Sequence, residues 1–174
     1  EQSVRRSDAR IRQVRAGSYT DYESEGAIAS TRGIRATSHR TGAYLSVEAI
    51  AHQDGDDQTG WGMTAGRGPS LLDPEVARRD AVYRATRMLG AVKPSSRKGV
   101  AVFDPRTTAT LLSIIGSALS GEAVVRGRSF FAGRVGETVA SELFTLVDDP
   151  TDPRHFAASP FDGEGLACRR NALI

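Results

Sequence analysis

The residues best suited to metal chemistry are three histidines and one cysteine. His39, His52 and His155 are far apart in the chain, whereas a zinc hydrolase commonly places two histidines about one turn apart on a helix, with a third ligand nearby. Cys168 is followed by two arginines, and cations of this kind lower the pKa of a thiol. It has no histidine beside it in sequence. The spacing favours surface histidines and an unreactive thiol.

Carboxylates form the other chemically capable group, and they concentrate near the carboxyl end of the chain. The group consists of Asp148, Asp149, Asp152, Asp162 and Glu164. Paired carboxylates can exchange protons with a substrate or bind a hard cation. Here proline and glycine alternate with them, and aspartate in such a composition typically caps turns. We therefore favour a structural role for the group over a catalytic one.

The cationic residues raise the question of nucleic-acid binding. The chain has 174 residues and a net charge of +2, and all but two of its 23 cationic residues are arginine. Arginine suits phosphate and carboxylate recognition. The arginines are scattered, apart from adjacent pairs at 5–6, 78–79 and 169–170. This distribution favours a solvated surface, and we do not expect nucleic acid as a partner.

The single cysteine excludes an intrachain disulfide and fits a reducing compartment. No apolar run approaches the ~20 residues that a membrane-spanning helix needs. We therefore expect a cytoplasmic protein that makes no use of a membrane.

The first third of the chain has the period-two pattern of β-strands. One face of the segment 43–51 is apolar, through Leu45, Val47, Ala49 and Ala51. Residues 54–57 have turn chemistry, after which Trp61, Met63 and Ala65 alternate again, so we predict an antiparallel hairpin. We also predict three short strands upstream, over 19–24, 27–30 and 34–38.

Beyond residue 66 helices alternate with strands. Asp-Pro pairs at 73–74 and 104–105 predict two helix starts, each with an aspartate N-cap. Gly90 closes the first helix, whose apolar stripe is Ala77, Ala81, Ala85, Met88 and Leu89. Strands are predicted at 99–103, 124–125 and 143–147, and a loop over 148–165. This order predicts an α+β fold, with residues 1–10 a linker or helix end and residues 11–174 a single α+β region.

Three sequence segments in the second half of the chain resemble those of a known family. They are GRSFFAGRVGETVAS at 127–141, TLVDDPTDP at 145–153 and SPFDGEG at 159–165. They are similar to the signature of the TldD/TldE (PmbA) metallopeptidases. The resemblance covers nearly all of the chain but only the middle of such a protein, which implies a fragment or one piece of a split polypeptide. It marks as signature positions, without an assigned role, Gly127, Arg128, Asp148, Asp149, Asp162, Glu164 and Gly165.

The resemblance also places the family's catalytic motif. The catalytic branch carries HExxxH on the helix before residue 119, and its two histidine places fall here at Leu112 and Ser117, with the glutamate place at Ser113. These side chains cannot form a zinc site. The chain therefore resembles the TldE/PmbA branch, which lacks the motif. This implies a subunit with no catalytic or metal-binding residue of its own.

For such a subunit, zinc is expected in a TldD-like partner, and an unfolded or leader peptide is expected as the substrate of the heterodimer. Whether this chain is itself an enzyme stays open, and catalysis by it alone is not expected. The alternative is a regulatory protein acting on nucleic acid or DNA gyrase.

Overall fold

A three-stranded antiparallel sheet dominates the first half of the chain. In the computed structural model, which describes residues 1–153, 155 and 157–174, its strands are β1 (Ile11–Ala29), β2 (Arg35–Gln53) and β3 (Asp56–Gly66), in the order β1-β2-β3. The predicted hairpin is confirmed. The three short upstream strands are instead parts of two long ones. Gly26 is accommodated within β1, which joins the first two, and the third begins β2 after the turn that contains Gly33.

The hairpin turn between β2 and β3 follows from its two central residues. Asp54 and Gly55 have φ values of 52° and 83°, as a type I′ turn requires, and Asp-Gly is a preferred pair for that turn. The turn sets the register in which Ala49 lies opposite Gly60. β3 ends opposite Ala43, so residues 35–42 of β2 pair with β1 alone. We call these residues, their partners in β1 and the turn between them the distal part of the β1–β2 hairpin.

Helix α2 (Pro74–Arg87) packs on one face of this sheet. Asp73 is the predicted N-cap, and its carboxylate accepts a hydrogen bond from the Glu75 N–H at 2.9 Å. From the predicted stripe, Ala77, Ala81 and Ala85 are at most 1% exposed, whereas Met88 is 46% exposed. Ala81 and Ala85 join a core that contains Val4 of helix α1 (Gln2–Arg5), Ile11, Ala49 and Ala51.

Glycines of β3 allow α2 to come this close. A Cβ atom on Gly60 would lie 2.0 Å from the Ala81 carbonyl oxygen, and one on Gly62 would lie 2.0 Å from that of Ala77. No side chain larger than hydrogen fits without displacing backbone. Trp61 and Met63, whose alternation predicted the strand, belong to the opposite face because successive side chains of a strand alternate.

The next segment contains the two remaining helices. A 3₁₀ turn (Pro69–Leu71) precedes α2, and α3 (Pro105–Ala118) and α4 (Gly121–Val125) follow it. Asp104 caps α3 as predicted, accepting hydrogen bonds from the N–H groups of Arg106 at 2.9 Å and Thr107 at 3.0 Å. Two residues from each of β4 (Val147–Asp148) and β5 (Asn171–Ala172) form a small sheet.

Three strand predictions in this segment need correction. Residues 99–103 form no strand, and Val100 and Val102 are 97% and 94% exposed, because no strand of the described chain pairs with them. The pair at 124–125 lies in α4, whose N-terminus is capped by the Ser120 hydroxyl. Of 143–147, only Val147 lies in a strand.

The chain divides into two compact units, which differs from the single region predicted over 11–174. Unit 1 comprises Glu1–Lys93 and Pro150–Arg169, and unit 2 comprises Pro94–Asp149 and Arg170–Ile174. Unit 1 holds the three-stranded sheet with α1 and α2, and unit 2 holds α3, α4 and the small sheet. The mixture of antiparallel strands and helices confirms the α+β class. Within the described ranges, no helix has the length and apolar character needed to cross a bilayer.

Candidate functional site

The residues at the places of the zinc motif lie on α3 and have no ligand character. Leu112 has no lone pair to offer a metal. The Ser113 hydroxyl donates to the Thr110 carbonyl at 2.7 Å, and the Ser117 hydroxyl donates to the Ser113 carbonyl at 2.8 Å. Both hydroxyls are thus hydrogen-bonded to the backbone of their own helix, a common arrangement for serine within helices. This face of α3 does not fit zinc.

The histidines are separated, as the sequence predicted, and each faces a different carboxylate. The three contacts are His39 Nε2 to Glu23 Oε1 at 2.6 Å, His52 Nδ1 to Asp57 Oδ1 at 2.8 Å, and His155 Nε2 to Asp152 Oδ2 at 3.6 Å. In the part of the chain that the structure describes, no three histidine, cysteine, aspartate or glutamate side chains are arranged to hold a metal ion. Cys168 is a free, half-buried thiol.

Gly127 and Arg128 end helix α4. Gly127 has a φ of 65°, in the left-handed region where glycine has no steric cost. Its N–H donates to the Val124 carbonyl at 3.1 Å, and the Arg128 N–H donates to the Ala123 carbonyl at 2.8 Å. These two hydrogen bonds form a Schellman motif. The GR pair of the signature phrase therefore stops the helix.

The acidic signature positions also have structural contacts. Asp148 lies in β4 opposite Asn171, and the Asp149 carboxylate lies 3.7 Å from Arg170 Nε. The Asp162 carboxylate accepts hydrogen bonds from the N–H groups of Glu164 at 2.9 Å and of Leu166 at 3.0 Å. It therefore closes the turn between the bridged residues Phe161 and Ala167. The Glu164 side chain is exposed.

Gly165 holds this turn against the distal part of the β1–β2 hairpin. Its φ is 83°, and a Cβ atom there would lie 2.6 Å from Ile34 Cγ2 and 3.2 Å from Ile28 Cγ2. Only glycine fits both the conformation and the space. SPFDGEG thus folds as a turn that packs on the hairpin.

A cleft in unit 1 lies beside the same part of the hairpin. We call it the Arg67 cleft. Its volume is about 460 Å³, and it runs between β2 residues 37–40, Arg67 and the loop that begins at Pro150. This volume is within the roughly 300–1,000 Å³ of ligand-binding clefts. The loop side of its lining consists of Pro150, Thr151, Pro153, Ala158, Ser159 and Pro160.

Arg67 is the residue that gives the cleft its chemistry, and the sequence did not single it out. Its Nη2 donates to the His155 carbonyl at 3.2 Å, and its backbone carbonyl accepts from the Thr41 hydroxyl at 2.6 Å. Its Nε atom is buried and has no hydrogen-bond partner among the described residues. The position between Gly66 and Gly68 indicates a strand end, but no local signal predicts a cleft there.

Comparison with known proteins identifies both halves of the chain. The description "PmbA/TldA metallopeptidase central domain" matches residues 1–89, and "PmbA/TldA metallopeptidase C-terminal domain" matches residues 96–174. A metalloprotease of Methanothermobacter thermautotrophicus is 30% identical over 90% of this chain and 36% of its own length. Metalloprotease PmbA of Escherichia coli is 26% identical over all of this chain and 39% of its own length. The chain thus spans under two-fifths of these relatives.

Solved structures match over nearly the whole chain. A candidate DNA gyrase modulator from Bacteroides thetaiotaomicron has a TM-score of 0.90 at 28% identity, over 99% of this chain and 40% of that one. TldE from Thermococcus kodakarensis has a TM-score of 0.81 at 27% identity, over 99% and 39% respectively. With matches to the central and C-terminal domains of the family, this chain belongs to the TldD/TldE (PmbA) metallopeptidases.

Proposed function

We propose that this chain acts as the metal-free subunit of a TldD/TldE-type zinc metallopeptidase complex. The observation that carries the proposal is the chemistry at three positions of α3. Where the catalytic branch has two histidines and a glutamate, this chain has Leu112, Ser117 and Ser113, and both serine hydroxyls donate to helix carbonyls. A partner of the TldD type would supply the zinc ligands and the general base.

Exposed apolar side chains of unit 2 support association with further protein. On α3, Leu111 and Ile114 are 41% and 57% exposed, and Val125 and Leu143 are 88% and 98% exposed. Large apolar groups left in water mark surfaces that other protein covers. Helix α3 carries both the altered motif and two of these side chains. We therefore place the partner contact on this helix.

The substrate of the complex is proposed to be an unfolded peptide, including the leader of a ribosomally made precursor. An extended peptide can hydrogen-bond to an open strand edge through its main chain, which makes binding tolerant of sequence. The single free cysteine fits a reducing compartment. We accordingly propose that the complex acts in the cytoplasm.

The test is reconstitution with a TldD-type subunit that carries HExxxH. The readout is cleavage of an unstructured peptide by this chain, by the partner, and by the two mixed. We expect efficient cleavage only in the mixture, and loss of it when the partner's glutamate is replaced by glutamine. Cleavage by this chain alone, or no gain on mixing, would overturn the proposal.

A matched pair of variants tests the position of the contact. Ile114→Asp should weaken assembly because it places a charge at an apolar contact. Ala109→Asp adds the same charge at an exposed position on the opposite side of the helix and should leave assembly unchanged. Analytical ultracentrifugation of each mixture measures the difference, and equal behaviour of the two variants would move the contact away from this part of α3.

A regulatory role on DNA or gyrase is the second candidate. The arginine content favours it, as does the description of the Bacteroides relative as a candidate gyrase modulator. Against it, many of the arginines in the described ranges form ion pairs, among them Arg10, Arg12, Arg15, Arg78, Arg126, Arg134 and Arg170. True DNA binding would weaken steeply between 50 and 200 mM salt through counterion release. A titration over that range decides this candidate.

A further inference from the structure

The Arg67 cleft contains an open strand edge. β3 pairs with β2 only from Ala43 onward, so residues 37–40 of β2 pair with β1 on one side and border the cleft on the other. Among the described residues, no backbone hydrogen bond reaches that outer edge. Pro150, Pro153 and Pro160 form much of the opposite wall, and proline has no N–H to donate. The edge and the wall are therefore not paired with each other.

The same cleft contains two cations that no described carboxylate neutralises. Arg67 offers five N–H donors, of which only one, on Nη2, has a partner among the described residues. Arg40 also borders the cleft, and no carboxylate of the described residues forms an ion pair with it. On this part of the hairpin, the Glu23 carboxylate is already 2.6 Å from the ring of His39. The cleft therefore complements a negative charge.

We propose that the Arg67 cleft binds an extended peptide segment that carries a carboxylate. The peptide main chain pairs with the free edge of β2 at residues 37–40, and its carboxylate forms a charge-assisted, bidentate pair with Arg67. Four strand residues span about 13 Å, so a segment of about four to six residues fills the edge. The inference rests on the proposed function only in taking a peptide as the ligand.

A peptide fits the cleft better than a small anion does. The loop side of the lining includes three prolines and one alanine, which give an extended chain an apolar surface to pack on. A small anion such as inorganic phosphate could be held by the two arginines and the hydroxyl groups of the lining, but it would leave the open strand edge and the proline wall unoccupied. An extended chain uses the open edge, the apolar wall and the cation together.

The test measures binding of fluorescently labelled hexapeptides to the 174-residue chain by anisotropy. One peptide has an internal glutamate and an amidated end, a second has glutamine and a free carboxylate end, and a third has glutamine and an amidated end. We expect the two carboxylate peptides to bind, and Arg67→Gln to weaken their binding about tenfold or more. The neutral peptide should bind weakly and equally to both proteins. The first two peptides show whether a side-chain or a terminal carboxylate is preferred.

Two further variants separate binding from folding. Arg40→Gln changes an exposed side chain and should weaken the carboxylate peptides by a smaller factor. Arg32→Gln removes the same charge from an exposed position at the hairpin tip and should have no effect. Unchanged circular dichroism and melting temperature identify the variants that remain folded.

Methylation of the peptide nitrogens tests the strand edge. In an extended peptide, alternate N–H groups point to the same side, so methylating one alternate set should abolish binding and methylating the other should not.

Equal affinity of the carboxylate and neutral peptides, or an effect of Arg32→Gln equal to that of Arg40→Gln, would overturn the inference. Because no partner subunit is present, these results are independent of the reconstitution assay.

Discussion

Helices α2 and α3 begin in the same way and end in different surroundings. Each has 14 residues, an aspartate N-cap and proline at the first position. α2 buries Ala77, Ala81 and Ala85 against the sheet, whereas the one buried residue of α3 is Ala118, at 7% exposure. The comparison shows that the Asp-Pro pair is enough to start a helix. How much of the helix is buried depends on which part of the protein packs against it.

The difference depends on what faces each helix. α2 has small side chains on its inner stripe and two glycines, Gly60 and Gly62, opposite them, so the two backbones approach closely. α3 is richer in leucine and isoleucine, yet Leu111 and Ile114 remain exposed. Apolar content alone therefore does not tell which helix forms a core. Helix α3 leaves large apolar side chains exposed, which α2 does not do along its inner stripe.

The largest expected effect comes from filling the space between α2 and β3. Gly60→Ala or Gly62→Ala places a methyl group 2.0 Å from a carbonyl oxygen of α2, and overpacking of this kind costs about 3 kcal/mol. Urea unfolding measures the loss. Gly17→Ala is the control because nothing lies within 4 Å of the added methyl group and its φ is not positive. Equal stability of Gly60→Ala and Gly17→Ala would contradict the close packing.

A smaller loss of stability is expected on removing the aspartate N-cap that the two helices share. Asp73→Ala and Asp104→Ala each remove a side-chain acceptor from the first N–H groups of a helix, at a cost of about 1 kcal/mol. Asn substitutions at the same positions retain an acceptor and serve as controls. Helical circular dichroism during urea unfolding measures both. A neutral result for either alanine variant would mean that packing, and not the cap, fixes that helix start.

The smallest expected effect is a dependence of the stability of unit 1 on pH. The hydrogen bonds from Arg10 lower the pKa of Asp8 to about 2, and the N–H of Gly90, just after α2, lowers that of Asp56. Since both carboxylates are favoured in their charged form by folding, the stabilisation is complete above the ordinary value of 3.8 and is lost as the pH falls below it.

Replacing these two aspartates tests the predicted loss of stability in acid. Asp8→Asn and Asp56→Asn should flatten the fall in melting temperature between pH 4 and about pH 2. Glu25→Gln, on the exposed distal hairpin, is the control. If the two asparagine variants lose stability as steeply with acid as the parent chain does, the carboxylate contacts do not contribute.

Much of the fold could be predicted because its signals are local. The two Asp-Pro pairs, the Asp54-Gly55 turn and the alternation along β2 each act within a few residues. Residues 99–103 have strand composition, but a strand forms only where a second one pairs with it, which is not a local property. Residues 124–125 are β-branched, yet the cap at Ser120 and the stop at Gly127 place them in a helix.

Which face of β3 packs on α2, and where the candidate site lies, depend on contacts between residues that are far apart in the chain. Trp61 and Met63 marked the strand, but the face that packs on α2 is the glycine face, which carries no apolar signal. Leu112, Ser113 and Ser117 could be singled out because a resemblance to a known motif supplied the comparison. Arg67 could not, since its cleft exists only where a loop more than 80 residues later in the chain, beginning at Pro150, lies beside β2.

Metal content tests the central claim most directly. The isolated chain and its complex with a TldD-type partner are dialysed against buffer containing zinc and then against metal-free buffer, and zinc is counted by mass spectrometry. We predict well under one zinc per isolated chain and one per heterodimer, the latter lost when the partner's HExxxH histidines are replaced. Stoichiometric zinc held by the isolated chain, together with peptide cleavage by it, would contradict the account.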